Sequence, residues 1–326
     1  MSRVLVTGAT GLVGSGVTKR LAETDHEVCA MGRRDPPRWI EETGVEYLQG
    51  DVRDESLLAE AVGEADAVVH LAAKTGAGGE WEAFREITVE ATETLFDLIE
   101  ERGGKRVVLV SSMGNYAGAS MRENTTVDES FPLEPEPEKR PHYAHAKTLQ
   151  DEFAQGYLDS DAMDLTIVRP GVVLSPGMDN PLLGAALDAK GLAWLMLDDG
   201  ERDYQFVHLR DVAEGIHRVL ETDRTVGEIY NLVWPGLTTR NDAVEAYRGA
   251  FDDDRPVVRL YLSYFLPLFA LADRVDAYLP GPPRYLAYQL SRYVARVNWS
   301  GSKIEDHTGW APETTIEETY EDLADV

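Results

Sequence analysis

Cysteine is almost absent from this chain. Cys29 stands alone among 326 residues, so no disulfide can close within it and no zinc-ligand spacing exists. Lysine is scarce as well, seven of the 31 basic residues, the rest being arginine. No carboxylate or His/Cys cluster has metal-ligand spacing, so no metal is expected, and no internal repeat is evident. The N-terminus, "MSRVLVTGAT", runs straight into a strand-like stretch without a secretory pattern, which makes a cytoplasmic location the expectation. Long hydrophobic runs are missing too. The nearest candidate, "LYLSYFLPLFALA" (260–272), is too short to span a bilayer and contains Pro267. It reads as a helix packed in a smaller lobe or covering that lobe's pocket, with a dimer surface or a peripheral membrane contact as alternatives.

What is abundant is acid. Asp and Glu number 58, giving a formal charge of −27. Phosphate backbones repel such a surface, which argues against a nucleic-acid partner. The acid is spread along the chain and not gathered in a tail, so it reads as a solvated surface. With so few lysines, it resembles proteins from salt-loaded cytoplasm. Carboxylate self-repulsion is strong in dilute buffer, whereas the Debye length is only about 3 Å at 1 M salt. Instability at low ionic strength is therefore expected. Hydrophobic residues make up 43% of the chain, enough for a folded core in one large α/β unit or two joined lobes.

Strand-like and helix-like stretches alternate at βαβ spacing. "RVLVTG" (3–8) is a β-branched run ending in glycine, and Val13, Val17 and Leu21 then mark one helix face. Strands are expected at 26–31, 45–50, 65–73, 105–112 and 164–171. Helices are expected at 54–62, from Trp81 to Arg102, and around Tyr143. The economical fold is α/β, a doubly wound parallel (Rossmann) sheet with a smaller C-terminal substrate lobe. Residues 1–171 would form the dinucleotide-binding domain, with 204–234 returning to it. Residues 172–203 and 235–326 would form the lobe. The Pro-rich "EPEPEKRP" (134–141) lies between a strand and a helix and reads as a rim loop of the active site.

"TGATGLVG" (7–14) places Gly8, Gly11 and Gly14 where the first strand meets the first helix. Glycines there allow a tight turn, close backbone approach to a pyrophosphate and close helix–sheet packing, with the helix N-terminus facing the anion. Thr10, Leu12 and Val13 complete the cofactor-facing turn. At the tip of the second strand, where an acid would hold ribose hydroxyls, stands Gly32 followed by Arg33 and Arg34. Two guanidiniums suit a 2′-phosphate, hence NADP in preference to NAD. Asp51, with Val52 beside it in "GDVRD", can accept from the adenine amino group, and Leu71, Ala72 and Ala73 of "HLAA" are small residues beside the cofactor.

"PHYAHAKTLQ" (141–150) puts Tyr143 and Lys147 one helical turn apart, either as solvated decoration or as a proton donor and its lever. With the segments TGATGLVG, GDVRD, HLAA, VSSMGNYAG, YAHAK, IVRPGVV, FVHLRDVA and "KIEDHTGWAPETTIEE" (303–318) in order, the chain resembles the extended short-chain dehydrogenase/reductase family. That family includes NAD(P)-dependent epimerases, dehydratases, dihydroflavonol reductases and 3β-hydroxysteroid dehydrogenases. The resemblance covers nearly the whole chain and implies a catalytic set of Ser112, Tyr143 and Lys147, with Ser111 as the alternative hydroxyl. It also implies cofactor contacts from Ser111, Tyr143, Lys147, Pro170, Val172 and Val173. A cation about 4 Å from the phenol at an effective dielectric of about 20 contributes roughly 4 kcal/mol, about 3 pKa units. That would bring a tyrosine from about 10 to near 7.

Three departures narrow the chemistry. Met113 and Gly114 follow Ser112 where the family's dehydratases carry an Asp-Glu pair, which leaves elimination without its second acid/base pair. Tyr204 stands where nucleotide-sugar epimerases carry a diphosphate-binding arginine, with Arg202 two residues off. Thr88 replaces the family's frequent asparagine, so any water relay through that residue is altered. The tail from about 255 to 300 looks more like the steroid dehydrogenase and dihydroflavonol reductase branch. The favoured reading is hydride exchange with a small-molecule carbonyl or secondary alcohol. A sugar or nucleotide-sugar epimerase and a catalytically silent cofactor sensor are the alternatives. His70 and His208 read as packing beside the cofactor, and His145, which flanks Tyr143 together with His142, as facing away. A homodimer through the helices after the fourth strand and around Tyr143 is what the resemblance implies for assembly.

Overall fold

The structure is a computed structural model that describes residues 2–76, 78–276, 285–291 and 295–325. The alternation in the sequence becomes β1 (Arg3–Thr7), α1 (Leu12–Ala22), β2 (Glu27–Gly32), α2 (Arg38–Thr43), β3 (Glu46–Gln49), α3 (Glu55–Glu64) and β4 (Ala67–His70). A helix interrupted by a π-turn follows, as α4 (Trp81–Phe84), the π-turn Arg85–Glu90 and α5 (Ala91–Glu101). Then come β5 (Arg106–Val110), the short β6 (Thr125–Val127), α6 (His142–Gln155), β7 (Asp164–Pro170) and β8 (Val172–Leu174). The remainder runs β9 (Leu187–Asp188), β10 (Trp194–Met196), β11 (Phe206–His208), α7 (Leu209–Glu221), β12 (Glu228–Leu232), α8 (Arg240–Phe251) and β13 (Val257–Arg259). It ends with α9 (Leu262–Asp276), α10 (Leu286–Ser291), β14 (Val297–Trp299), α11 (Ser302–Thr308) and α12 (Ile316–Ala324).

Seven strands form one parallel sheet in the order β3-β2-β1-β4-β5-β7-β12. Strand order reverses between β1 and β4, and in open α/β sheets ligands bind beyond the carboxyl ends at such a point. The period-2 alternation sends neighbouring side chains to opposite layers. Val4 and Val6 of β1, with Val108 and Val110 of β5, join the core beneath α1 and α7. Leu5, Val107 and Leu109 join the core beneath α3 and α5. Both faces of the sheet are covered, which is why its strands read as unbroken apolar runs.

Of the segments expected to return to the sheet, β12 does so, lying along β7. β11 instead pairs with β8 in a separate two-stranded ladder, where the Val172 amide donates to the Gln205 carbonyl at 2.7 Å. A third core gathers Leu174, Trp194, Met196, Tyr204, Phe206, Tyr247 and Tyr320 around the β13-β10-β9 sheet. The apolar stretch 260–272 is helical in α9, but it is not the packed helix expected. Tyr264 is 80% exposed, Leu268 61% and Leu271 57%. Residues 277–284 and 292–294 of the tail likened to the steroid dehydrogenase branch lie outside the described residues. Among the described residues no helix is long and apolar enough to cross a membrane.

Candidate active site

The carboxyl ends of β1, β2, β4, β5 and β7 deliver Thr7, Gly32, His70, Val110 and Pro170 to one edge of the sheet. Gly8 turns there with φ +69°, and a Cβ on it would fall 2.8 Å from the Ala72 backbone nitrogen. A Cβ on Gly14 would drive into the Gly8 carbonyl. Glycine is thus the residue type this turn admits, and the turn leads directly into the N-terminus of α1. Thr10 is half-buried, Gly11 and Leu12 are exposed and Val13 is half-buried, so the turn is open to a ligand. Val52 and Ala72 are buried beside it, while Leu71 and Ala73 keep partial exposure.

At the second strand's tip, a Cβ on Gly32 would meet the Tyr47 hydroxyl at 2.8 Å and the Thr10 side chain at 2.9 Å, so a larger residue there requires those side chains to shift. Arg33 and Arg34 follow on the surface. Arg33 lies 3.9 Å from Asp51 with its side chain 54% exposed. Asp51 is already engaged. Arg53 donates to both its oxygens at 3.0 Å, and the Arg53 amide donates to one of them. Those hydrogen bonds outweigh partial burial and hold the Asp51 carboxyl below its usual range. An adenine amino group would share an oxygen with Arg53.

α6 starts after the rim loop 134–141, which is tied inward by a buried ion pair between Glu134 and Arg140 at 3.0 Å. The loop is also held by the Glu134 amide donating to the Asn115 carbonyl at 2.8 Å. Along α6, Tyr143, Lys147, Gln150, Asp151 and Ala154 share the inward stripe. Tyr143 packs with Phe84, Val89 and Ala146, and its hydroxyl faces Ser112. Ser112 in turn accepts from the Gly114 amide at 3.0 Å. Ser111 points the other way. Its hydroxyl donates to Asp151 inside the fold, so its side chain is not at the cofactor face as expected. Pro170 is buried at the strand end, and Val172 and Val173 are half-buried just past it.

Lys147 makes two hydrogen bonds inside the fold. Its ammonium donates to the Val110 carbonyl at 2.7 Å and to Gln150 Oε1 at 2.8 Å. Burial, opposed in part by Asp151, brings it down to about 8. Burial also raises the Tyr143 phenol, with the nearby Ser112 hydroxyl opposing. The folded chain by itself thus holds the Tyr143 phenol above its usual value and not near 7, because burial takes it out of water, while the Lys147 ammonium keeps a third N–H beyond its two acceptors.

Beneath the site is a network that motif reading missed. Arg169 donates to Asp151 at 2.9 and 2.6 Å, both side chains being fully buried. Burial acts to raise the Asp151 carboxyl, yet Arg169, Ser111 and Gln155 together keep it below its usual value. Asn115 donates to the Lys147 carbonyl and to Ser111. The signal was available in the sequence: polar residues at 147, 150 and 151 on a stripe whose other members, such as Ala154, are apolar.

His70 bridges Thr7 at 2.7 Å and Thr92 at 2.9 Å, and burial pushes it down to about 3. His208 caps α7, accepting from the Arg210 amide at 3.1 Å, and lies 3.0 Å from Asp322. His145 stacks on Trp81 at 3.9 Å, and His142 lies 3.3 Å from the Gly79 carbonyl. Tyr204 is buried, donating to the Leu183 carbonyl at 2.7 Å. Arg202 and Arg240 converge on Asp198 at 2.8 and 3.0 Å.

Residues 4–232 match the profile of the NAD dependent epimerase/dehydratase family. L-arabinose 1-dehydrogenase (NAD(P)(+)) of Haloferax volcanii is 29% identical over 181 residues, which is 54% of this chain and 68% of that protein. Tetraketide alpha-pyrone reductase 2 of Arabidopsis thaliana is 29% identical over 255 residues, 70% of this chain and 77% of that one. In fold, the UDP-glucuronic acid 4-epimerase from Bacillus cereus, solved in complex with NAD, superposes with TM-score 0.76 at 17% identity. That match covers 99% of this chain and 97% of the other.

Proposed function

Because this chain belongs to the NAD-dependent epimerase/dehydratase family, and is thereby an NAD(P)-dependent enzyme of the extended short-chain dehydrogenase/reductase type, we propose that it is a reductase/dehydrogenase. Its substrate class is a small-molecule carbonyl or secondary alcohol. The observation that carries this reading is the Tyr143 hydroxyl facing Ser112 at the carboxyl end of β5, with the Lys147 ammonium buried one helical turn along α6.

Gly8, Gly11 and Gly14 would hold the pyrophosphate, Arg33 and Arg34 a 2′-phosphate, and Lys147 the nicotinamide ribose. When bound, NADP(H) supplies or accepts the hydride. Ser112 orients the substrate oxygen beside Tyr143, and the Tyr143 hydroxyl gives that oxygen a proton in reduction or takes one in oxidation. Burial favours the protonated phenol, which suits the donor role and supports the reductive direction. Met113 and Gly114 after Ser112 supply no acid/base pair for elimination. NADP over NAD is supported by glycine, not an acid, at position 32 and by the exposed guanidinium of Arg33. The lobe of residues 172–203 and 235–326 would select the substrate, and the helices after β4 and around Tyr143 would pair in a homodimer.

The test is NADPH oxidation against a panel of ketones and aldehydes. Stoichiometric consumption that falls at least about 100-fold in Tyr143→Phe is the expected result, in keeping with the usual size of general acid catalysis. Cofactor that co-purifies and is never consumed, with a sugar inverted at one carbon, would establish the epimerase instead. Binding without turnover, indifferent to Tyr143→Phe, would establish the sensor.

A further inference from the structure

Lys147 is a buried cation with no carboxylate in hydrogen-bonding reach, and its second acceptor is the side-chain oxygen of Gln150, itself fully buried. An amide can present either end, so something must decide which end faces the ammonium. The surrounding hydrogen bonds do so. Thr92 donates its hydroxyl to the Thr88 carbonyl at 2.7 Å and is therefore an acceptor toward its other neighbours. His70 Nε2, at 2.9 Å, must then carry the proton, and His70 Nδ1 accepts from Thr7. Gln150 Nε2 meets two acceptors, Thr92 Oγ1 at 2.7 Å and the Thr88 carbonyl at 3.2 Å. Rotated by 180°, the amide would set its NH2 against the ammonium and its oxygen against both acceptors. The Thr88 carbonyl is available because it lies in the π-turn Arg85–Glu90, where the helical ladder is disturbed.

We propose that Gln150 is a positioning residue for the reaction: it fixes the Lys147 ammonium in place and keeps it charged, in the region where a water relay through residue 88 is altered. The chain Thr7–His70–Thr92–Gln150–Lys147 orients groups and does not conduct protons, since an amide has no proton to pass on without losing its acceptor oxygen. The other groups facing Lys147 are accounted for. On α6, Tyr143 is neutral, and Asp151 is held by Arg169 of β7. On β4, His70 is neutral. Removing the Gln150 oxygen therefore removes one of two direct acceptors of a buried charge, which disfavours the charged form. The role rests on the assignment of Lys147 made above, but its titration can be read without any turnover.

Protein labelled with 13C at lysine Cε gives seven resonances, and the one missing in Lys147→Arg is assigned to Lys147. Titrated without cofactor, wild type should show a midpoint of about 8. Gln150→Leu is expected to lower that midpoint by at least about 0.5 unit. Gln150→Glu should raise it by about 1 unit or more, and Thr92→Val should lower it by less than Gln150→Leu does. Midpoints unchanged in Gln150→Leu and Gln150→Glu overturn the proposal. If Gln150→Leu does not fold, unchanged midpoints in Gln150→Glu and Thr92→Val overturn it equally. Shifted midpoints with an alkaline limb of NADPH turnover that moves with them support the role in the reaction, whereas shifted midpoints with an unmoved limb overturn it and leave Gln150 a structural partner of Lys147.

Discussion

Tyr143, Lys147 and Ser112 are legible in the sequence because their spacing is local, a helical turn and a strand end. The electrostatics that act on them are not. The short-range Coulomb argument places the lysine beside the phenol, whereas the folded chain sends the ammonium to Val110 and Gln150 and buries both groups. One consequence concerns pH. Lys147 has a folded value of about 8, below the usual lysine value, so its charge is complete below that value and is lost as pH rises through it. For a mechanism that needs the cation, kcat/KM should fall on an alkaline limb near 8, read from initial rates between pH 6 and 10. The depressed value acts on stability with the opposite sense. The unfolded chain binds the extra proton between about 8 and 10.4, so this group's contribution to stability increases across that window. Arg33 yields a second test at this scale. Arg33→Ala should weaken NADP binding about tenfold and NAD binding less than about twofold, measured by fluorescence titration. Equal losses for both cofactors would place Arg33 outside any 2′-phosphate site.

The elements supply what single residues cannot. α6 carries a polar stripe into the interior, and Asp151 on it is locked to Arg169 on β7, joining the helix that bears Tyr143 and Lys147 to the strand whose end lies beside them. Breaking a buried ion pair by removing one charge typically costs about 3–5 kcal/mol. Asp151→Asn should therefore lose about that much in urea unfolding, and a loss under about 1 kcal/mol would contradict the account of this lock. The helix from Trp81 to Arg102 was foreseeable from its apolar spacing, but the π-turn within it was not. A π-turn is one residue out of register in a hydrogen-bond ladder, and nothing in 3.6-residue periodicity encodes it. α9 shows the reverse limit. Its apolar run suggested a buried helix, yet Tyr264, Leu268 and Leu271 remain exposed in the described residues, since hydrophobicity specifies a wish for burial and not a partner.

At the scale of the whole molecule, 58 acids face 31 bases, and many of the arginines are already spent on ion pairs. Arg3, for example, is shared among Glu27, Glu46 and Glu64, and Arg20 between Glu23 and Glu214. The unpaired remainder of the acid repels itself through water, a cost that salt screens. The melting temperature should rise between 0.1 and 2 M KCl. A flat or falling curve by scanning calorimetry would remove the case for salt adaptation. The alternating α/β order, the parallel sheet, the glycine turn and the spacing of Tyr143 and Lys147 can be read from the chain's order of residues, because these depend on periodicity and neighbours a few residues apart. Folding settled the rest: which serine turns to the tyrosine, which end of Gln150 meets the lysine, that Tyr47 and Thr10 crowd Gly32, and that β11 leaves the main sheet. Those outcomes depend on atoms brought together from distant parts of the chain, where burial sets the strength of each hydrogen bond and charge.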